Sequence, residues 1–396
     1  MEHILYWLWL TGLFGVESGN FITIIEDAGG IEEFFSKKDY SSLGINSQKV
    51  IQKLNNKNLD WAKRVYRSCE NNDIEIVPFD SEDYPSVLRN IFTPPALLYM
   101  KGQIPDWDGL FMIGVVGTRR ATQYGLKATT EICTSLAESG VVIVSGFARG
   151  IDSAATKSAV NSGEYSVSVC ASGLDINYPK QNKKLREAVL KNGIMLSEYP
   201  PGFKPLKWAF RPRNRIIAGL TNGILVTEAP KKSGALITAY RALEENRDVF
   251  VVPGKIDDAN YEGIGGLIRN GAKVIFSAED ILSEYPHYQD KLKPHTGQKP
   301  SEPFVEKAYS VKEKKPYKRP EKRGKKAETP VKTFGPITKT GTEAEILRLL
   351  TEKNMHIDEM IRETGVSPTS FNTAILMLEI CGDVKRMPGN VFKRLK

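Results

Sequence analysis

The sequence has 396 residues, of which 41% are hydrophobic and 26% charged, the balance of an ordinary folded protein long enough for two or three domains. Its four cysteines lack the paired spacing of a zinc site and suit reduced thiols in the cytoplasm, and none of its four histidines lies between Ile4 and Pro286, which excludes a histidine base or metal ligand there. The net charge of +8 is misleading as a whole-protein property: Lys291 to Lys332 alone holds fourteen Lys or Arg against five Asp or Glu, so the remainder is close to neutral and only a local basic patch can argue for a polyanionic partner.

The chain opens on an apolar run, Ile4 to Val16. Glu2 and His3 precede it where an export signal would carry Lys or Arg, and no small-residue cleavage site follows, so it reads as a buried helix. No later run reaches the roughly 18 residues of a membrane span. Residues 1–75 have helical periodicity interrupted at Thr11-Gly12-Leu13-Phe14-Gly15-Val16 and at Leu43-Gly44-Ile45. Two readings stay open: a helix-hairpin-helix or SAM-like module whose glycines approach a phosphate, or a helical packing domain with glycine turns.

Residues 76–285 form the next domain. Ile76 to Gly102, with Tyr84-Pro85 and Pro94-Pro95, reads as an extended lead-in. From Phe111 short apolar strands alternate with helices, the strands being placed at 111–117, 141–146, 166–171, 194–198, 224–228, 249–253 and 274–276. Helices are expected at 125–138, 152–161, 180–191 and 236–245. Continuous apolar strands are what a parallel sheet covered by helices on both faces requires, and the fold class is therefore α/β, a doubly wound, Rossmann-like sheet. Residues 286–340, rich in Lys, Pro, Glu and Ser, read as a basic disordered linker. In residues 341–396, three short helices (342–350, 356–364, 367–379) and two strands around Pro388-Gly389 make a winged helix.

Ligands of such sheets bind beyond the carboxyl ends of the strands, where this sequence concentrates glycine and arginine. After the first strand comes Gly117-Thr118-Arg119-Arg120: glycine lets amides point at a phosphate, a helix N-terminus adds positive charge, and Arg119 can grip in a bidentate way. The loop is neither a Walker loop nor G-x-G-x-x-G, and no acid ends the second strand to hold a ribose, so no dinucleotide cofactor is expected. The second loop, Ser145-Gly146-Phe147-Ala148-Arg149-Gly150-Ile151-Asp152, reads alone as a tight turn with Asp152 as N-cap; beside the first it reads as a second phosphate loop. Lys180, opening a helix after the third strand, is either a phosphate contact or simply solvated.

Arg211, Arg213, Asn214 and Arg215 follow Phe210. They could pair with internal acids, or hold backbone phosphates while Phe210 offers a stacking face. Ser233 and Gly234 again sit at a helix start, suited to a phosphate or hydroxyl. Glu228 is the one carboxylate placed for catalysis, but with no histidine or second carboxylate nearby in sequence it is read as structural.

Taken in order, Gly117-Thr118-Arg119, Ser145-Gly146-x-Ala148-Arg149-Gly150-Ile151-Asp152, Gly173-Leu174-Asp175 with Tyr178-Pro179, Arg213-Asn214-Arg215-Ile216-Ile217, and Glu228 with Ser233 to Ala239 resemble the DNA processing protein A family, also called DprA or Smf. The resemblance spans nearly the whole chain and implies a SAM-like N-terminal domain, an extended Rossmann domain and a C-terminal winged helix. It further implies a homodimer that binds single-stranded DNA, interacts with the recombinase RecA and helps load it on DNA taken up in natural transformation. Carried onto this chain, the pocket would comprise Gly117, Thr118, Arg119, Ser145, Gly146, Lys180, Arg213 and Asn214. Where the family usually has Ala-His after Gly-Ile-Asp, this chain has Ala155-Thr156, which argues against enzymatic chemistry. The expectation is a binding protein without cofactor, metal or catalysis. Two alternatives remain: a nucleotide-processing enzyme similar to LOG-type phosphoribohydrolases, and a winged-helix regulator reading duplex DNA.

Overall fold

The computed structural model describes residues 2–289, 292, 299–306 and 341–396, apart from 351–353, 367–370, 372–373, 376–377, 379–382, 388–390 and 396. It divides into two compact units, residues 1–308 and 309–396.

The first unit begins with five helices, α1 (Glu2–Phe14), α2 (Ile22–Asp27), α3 (Ile31–Ser36), α4 (Gln48–Leu54) and α5 (Asp60–Glu70). One helical run among the described residues, Glu2–Asp27, is long and apolar enough to cross a membrane, but a 3-10 segment at Gly15–Phe21 divides it, and Leu5 and Trp7 to Leu10 lie in the core. The chain turns at Gly15, whose φ is +57°, while Gly12 stays inside α1. There a side chain would collide with the indole of Trp61 on α5, so Gly12 serves helix–helix packing and not a hairpin.

Next come β1 (Glu75–Pro78), α6 (Ser86–Arg89) and β2 (Leu97–Gly102). The expected extended lead-in is thus a pair of antiparallel strands. The apolar run Leu97 to Met100 is fully buried and extends the sheet, with Tyr99 opposite Ser197. Its core is continuous with that of the helices: Leu97 and Tyr99 join Trp9, Phe34 and Tyr40 on one side and Leu185 and Val189 on the other. The helical segment and the sheet are therefore fused over one apolar cluster.

The rest of the unit runs β3 (Met112–Val116), α7 (Gln123–Glu138), β4 (Val142–Ser145), α8 (Ile151–Ser162), β5 (Ser166–Cys170), α9 (Lys183–Asn192), β6 (Ile194–Ser197), α10 (Phe210–Leu220), β7 (Gly223–Val226), α11 (Gly234–Glu244), β8 (Asp248–Val251), α12 (Glu262–Arg269), β9 (Lys273–Val274), α13 (Ala278–Leu282) and α14 (Pro286–Gln289). The nine-stranded sheet has the order β1-β2-β6-β5-β4-β3-β7-β8-β9, parallel from β6 to β9. The chain winds outward one way from β3 and then the other way from β7. The topological switch point lies between these two strands, where such sheets bind ligands. Ile113 and Val115 pack under α7, α8 and α13, and α10 packs on α11.

The seven expected parallel strands are all present, each ending short of the predicted limit, so that the loops after β3, β4 and β7 begin at Gly117, Gly146 and Thr227. Asp152 is not the N-cap of α8. Gly150 occupies that position, and Asp152 is in the first turn, buried. The expected disorder does not start at 286: Pro286–Gln289 is helical, and Phe304 exchanges backbone hydrogen bonds of 2.8 and 2.9 Å with the Asn161 amide on α8. Residues 307–340 lie outside the described residues.

The second unit contains α15 (Thr342–Leu349), β10 (Met355–His356), α16 (Ile357–Thr364), β11 (Val384–Met387) and β12 (Val391–Arg394). Met355–His356 pairs with β12, so the wing has three strands, not two. Most of the expected helix 367–379 lies outside the described residues. Its described positions Phe371, Ala374, Ile375 and Leu378 are helical and buried with Ile346, Met360 and Phe392.

Candidate nucleic-acid interface

A cleft of about 260 Å³ opens at the switch point, lined by the loop after β3, the first turns of α8 and α10 and the loop leading into α11. Of the residues expected to contact phosphate, Gly117, Thr118, Arg119, Arg213, Asn214, Ser233 and Gly234 line it, joined by Phe210 and Lys232. Four separate stretches of sequence thus converge on one edge of the sheet. The other expected residues lie elsewhere.

Arg119 is exposed, and its guanidinium lies over the Phe210 ring at 4.5 Å from the centroid. The Phe210 ring in turn meets that of Tyr178 at 6.0 Å, which brings the loop after β5 to the same place. A cation resting on an aromatic face offers a phosphate grip and a base-stacking surface side by side. At the other wall Ser233 caps α11 by accepting from the Ala235 amide, and Gly234 faces open space with nothing within 4 Å of where a Cβ would stand. Lys232, exposed in the same loop, is a cleft cation that sequence reasoning missed, for its only sign was a lysine before a Ser-Gly helix start.

The backbone of the Gly117 loop does not present itself to a ligand as expected. The Thr118 amide donates to the Glu228 carbonyl at 2.8 Å and the Arg120 amide to the Thr118 hydroxyl at 3.2 Å, while the amides of Gly117 and Ala148 are directed at the Asp152 carboxylate. Asp152 therefore stands where the glycine loops would have held a phosphate. Burial pushes its carboxyl up, opposed by the charge of Arg213, the Ala148 amide, the charge of Arg119 and the Gly117 amide. The charges of Asp152 and Arg213 offset one another in the floor, and the cleft's positive character comes from its rim, Arg119 and Lys232.

Arg213 is only 4% exposed, which corrects its expected place along an open groove. It donates to the carbonyls of Gly146, at 2.8 Å, and Val169, and to Asn214 Oδ1 at 3.2 Å. Burial pushes its pKa down, opposed chiefly by Asp152. The two charged groups meet over Gly146, where a Cβ would stand 2.6 Å from both Arg213 Nη1 and Asp152 Oδ2. Gly146 makes room for these two buried side chains. Asn214 reaches the Gly234 carbonyl at 3.4 Å, tying α10 to the start of α11.

Ser145 is buried, its hydroxyl donating to the Val115 carbonyl at 2.9 Å. Arg215 binds Glu198 through two hydrogen bonds of 2.6 and 2.9 Å, the internal pairing that the sequence had left open. Arg120, Arg149 and Lys180 are exposed on the loops after β3, β4 and β5, and Arg211 is half-buried in the first turn of α10; none of the four lines the cleft.

Glu228 holds the first loop from below. Its Oε2 accepts from the Thr122 amide at 3.0 Å and from the Thr122 hydroxyl at 2.8 Å, and that hydroxyl caps α7 by accepting from Gly125. Burial raises the Glu228 pKa, opposed by those two Thr122 bonds. These bonds give Glu228 a part in holding the loop, while its Oε1 is buried with no hydrogen-bond partner among the described residues. Gly150 supports the same loop from the side: its φ is +76°, and a Cβ there would stand 2.4 Å from the Thr118 carbonyl oxygen. Gly150→Ala is expected to lower stability by about 1–3 kcal/mol through backbone strain, with the contact against Thr118 adding to it. Urea unfolding checks this, and an unchanged midpoint would refute it.

Comparison with known proteins agrees with this architecture. Residues 75–286 match the family described as DNA recombination-mediator protein A, and residues 330–390 match the DprA winged helix domain. The chain is 42% identical over 223 residues to the DNA processing protein DprA of Bacillus subtilis, covering 56% of this chain and 75% of that protein. It is 37% identical over 326 residues to protein Smf of Synechocystis sp., covering 80% and 79%. The X-ray structure of DNA processing protein A from Streptococcus pneumoniae superposes with a TM-score of 0.61 at 34% identity, over 71% of this chain and 97% of that one.

Proposed function

The chain belongs to the DNA recombination-mediator protein A family, and on that premise we propose that it binds single-stranded DNA in the cleft at the switch point and loads RecA onto it. The observation that carries this reading is Arg119 lying over Phe210 on the rim of a cleft assembled from four stretches of the chain. A single strand offers alternating phosphates and unpaired bases, and an exposed guanidinium beside an aromatic face suits both. Duplex DNA keeps its bases stacked away from such a surface.

The binding is proposed to be the whole of the activity. Glu228 is fastened to Thr122, Asp152 faces Arg213, and the central domain has no histidine to serve as base. Incubation with nucleotides should release no free base. The protein acts, in this proposal, as a cytoplasmic homodimer during natural transformation, the winged helix serving contacts other than strand capture.

RecA filament assembly on single strands coated with single-strand binding protein tests the mediator role. Addition of the full chain should speed assembly. Equal rates with and without it would overturn the reading.

A further inference from the structure

The segment joining β6 to α10 carries a second aromatic surface next to the cleft. Tyr199 is buried and stacks on Phe203, the rings 4.4 Å apart and inclined by 13°. Trp208 stands edge-on to both, at 6.0 and 5.6 Å, and is 53% exposed. The segment is pinned throughout: the Tyr199 hydroxyl donates to the Ala209 carbonyl at 3.0 Å, the Gly173 amide to the Phe203 carbonyl at 2.9 Å, and the Gly202 amide to Asp175. Pro201 and Pro205 restrict it further. An indole is therefore held in a fixed pose with half its surface in water, flanked by the exposed Lys204 and Lys207. Phe210, under Arg119, follows in the same segment.

We propose that Trp208 is a second base-stacking platform, which takes an unpaired nucleobase of the strand whose phosphate is held at Arg119. The inference rests on the single-strand reading and extends it from one cleft to a path. Three features support a nucleobase as the occupant. The surface is a rigid aromatic face, stacking on which tolerates every base. It is flanked by lysines, which suit phosphates. It is continuous with the cleft through Phe210. Fixing the ring beforehand removes the ordering cost that a mobile tryptophan would add on binding.

Tryptophan fluorescence tests this directly, because Trp7, Trp9 and Trp107 are buried and Trp61 half-buried, leaving Trp208 as the exposed indole. The full chain is titrated with oligothymidylates of about 4 and about 12 nucleotides. The longer strand should quench the emission of the wild type, and W208F should lose the quenching. W208A should bind the longer strand about tenfold more weakly, the shorter one nearly as the wild type does, and W208F should recover most of the affinity.

A saturating longer strand that leaves wild-type emission unchanged overturns the platform, whether or not W208A folds. So does a folded W208A that binds both strands like the wild type while Arg119→Ala is impaired; in that case the surface serves something other than the strand, and the cleft reading survives. If the wild type binds neither strand, the single-strand reading falls and the platform with it.

Discussion

Arg119→Ala is expected to weaken single-strand binding by about tenfold and to reduce the slope of log affinity against log salt by about one counterion. Arg119 is exposed; its guanidinium rests on the face of Phe210 and adds a lesser counter-charge to the buried Asp152, whose chief counter-charge is Arg213. The melting temperature should therefore fall only slightly. The loss would combine the direct phosphate contact with the cation that fixes and polarises the Phe210 face. Anisotropy titrations of a labelled strand at several salt concentrations separate these results from a general loss of fold. An unchanged affinity and slope would remove Arg119 from the interface.

Removing Arg213 should have the opposite signature. Its guanidinium is buried against Asp152 and holds the carbonyls of Gly146 and Val169, so Arg213→Leu strands a buried carboxylate and leaves two carbonyls without their donor. A loss of about 3–5 kcal/mol of stability is expected, seen in urea unfolding before any binding assay is informative. Replacing both partners, Arg213→Leu with Asp152→Leu, should restore part of that loss, because an apolar pair no longer carries an uncompensated charge. If the single variant kept full stability and lost only affinity, Arg213 would be a ligand contact after all.

The contrast between these two arginines marks what sequence could and could not reveal. Arg119 follows a strand in a glycine loop and Arg213 opens a helix in an arginine-rich stretch; pattern offered both as phosphate contacts and left internal pairing open for Arg213 alone. The strands themselves were readable because each is an unbroken apolar run in a sheet covered on both faces, and the helices between them follow from their own periodicity. The convergence of the loops then follows from topology, since every parallel strand delivers its carboxyl end to the same edge.

Orientation within that edge was not readable. Whether a guanidinium turns inward depends on a carboxylate from another loop, and Asp152 lies far from Arg213 in sequence. The signal was weak: an acid in the first turn of α8, where a cap was the simpler reading. Gly146 misled for the same reason, as glycine makes room for two buried charged side chains as readily as for a phosphate. Lys232 escaped notice because one lysine in a loop is usually solvated. Trp208 escaped because its value comes from the rigidity of Tyr199 and Phe203 beneath it, which no local pattern announces. The antiparallel strands β1 and β2 were hidden by the prolines around them, although Leu97 to Met100 is as apolar as any strand of the sheet.

The central claim is that a single strand lies along the cleft between the loop after β3 and the start of α10. The most direct measurement is photo-crosslinking of an iodouracil-bearing single strand to the full chain, with the linked peptides identified by mass spectrometry. Cross-links should fall on peptides carrying Arg119, Trp208 and Phe210, and Arg119→Ala should reduce them. Cross-links confined to residues 341–396, with none on those peptides, would contradict it.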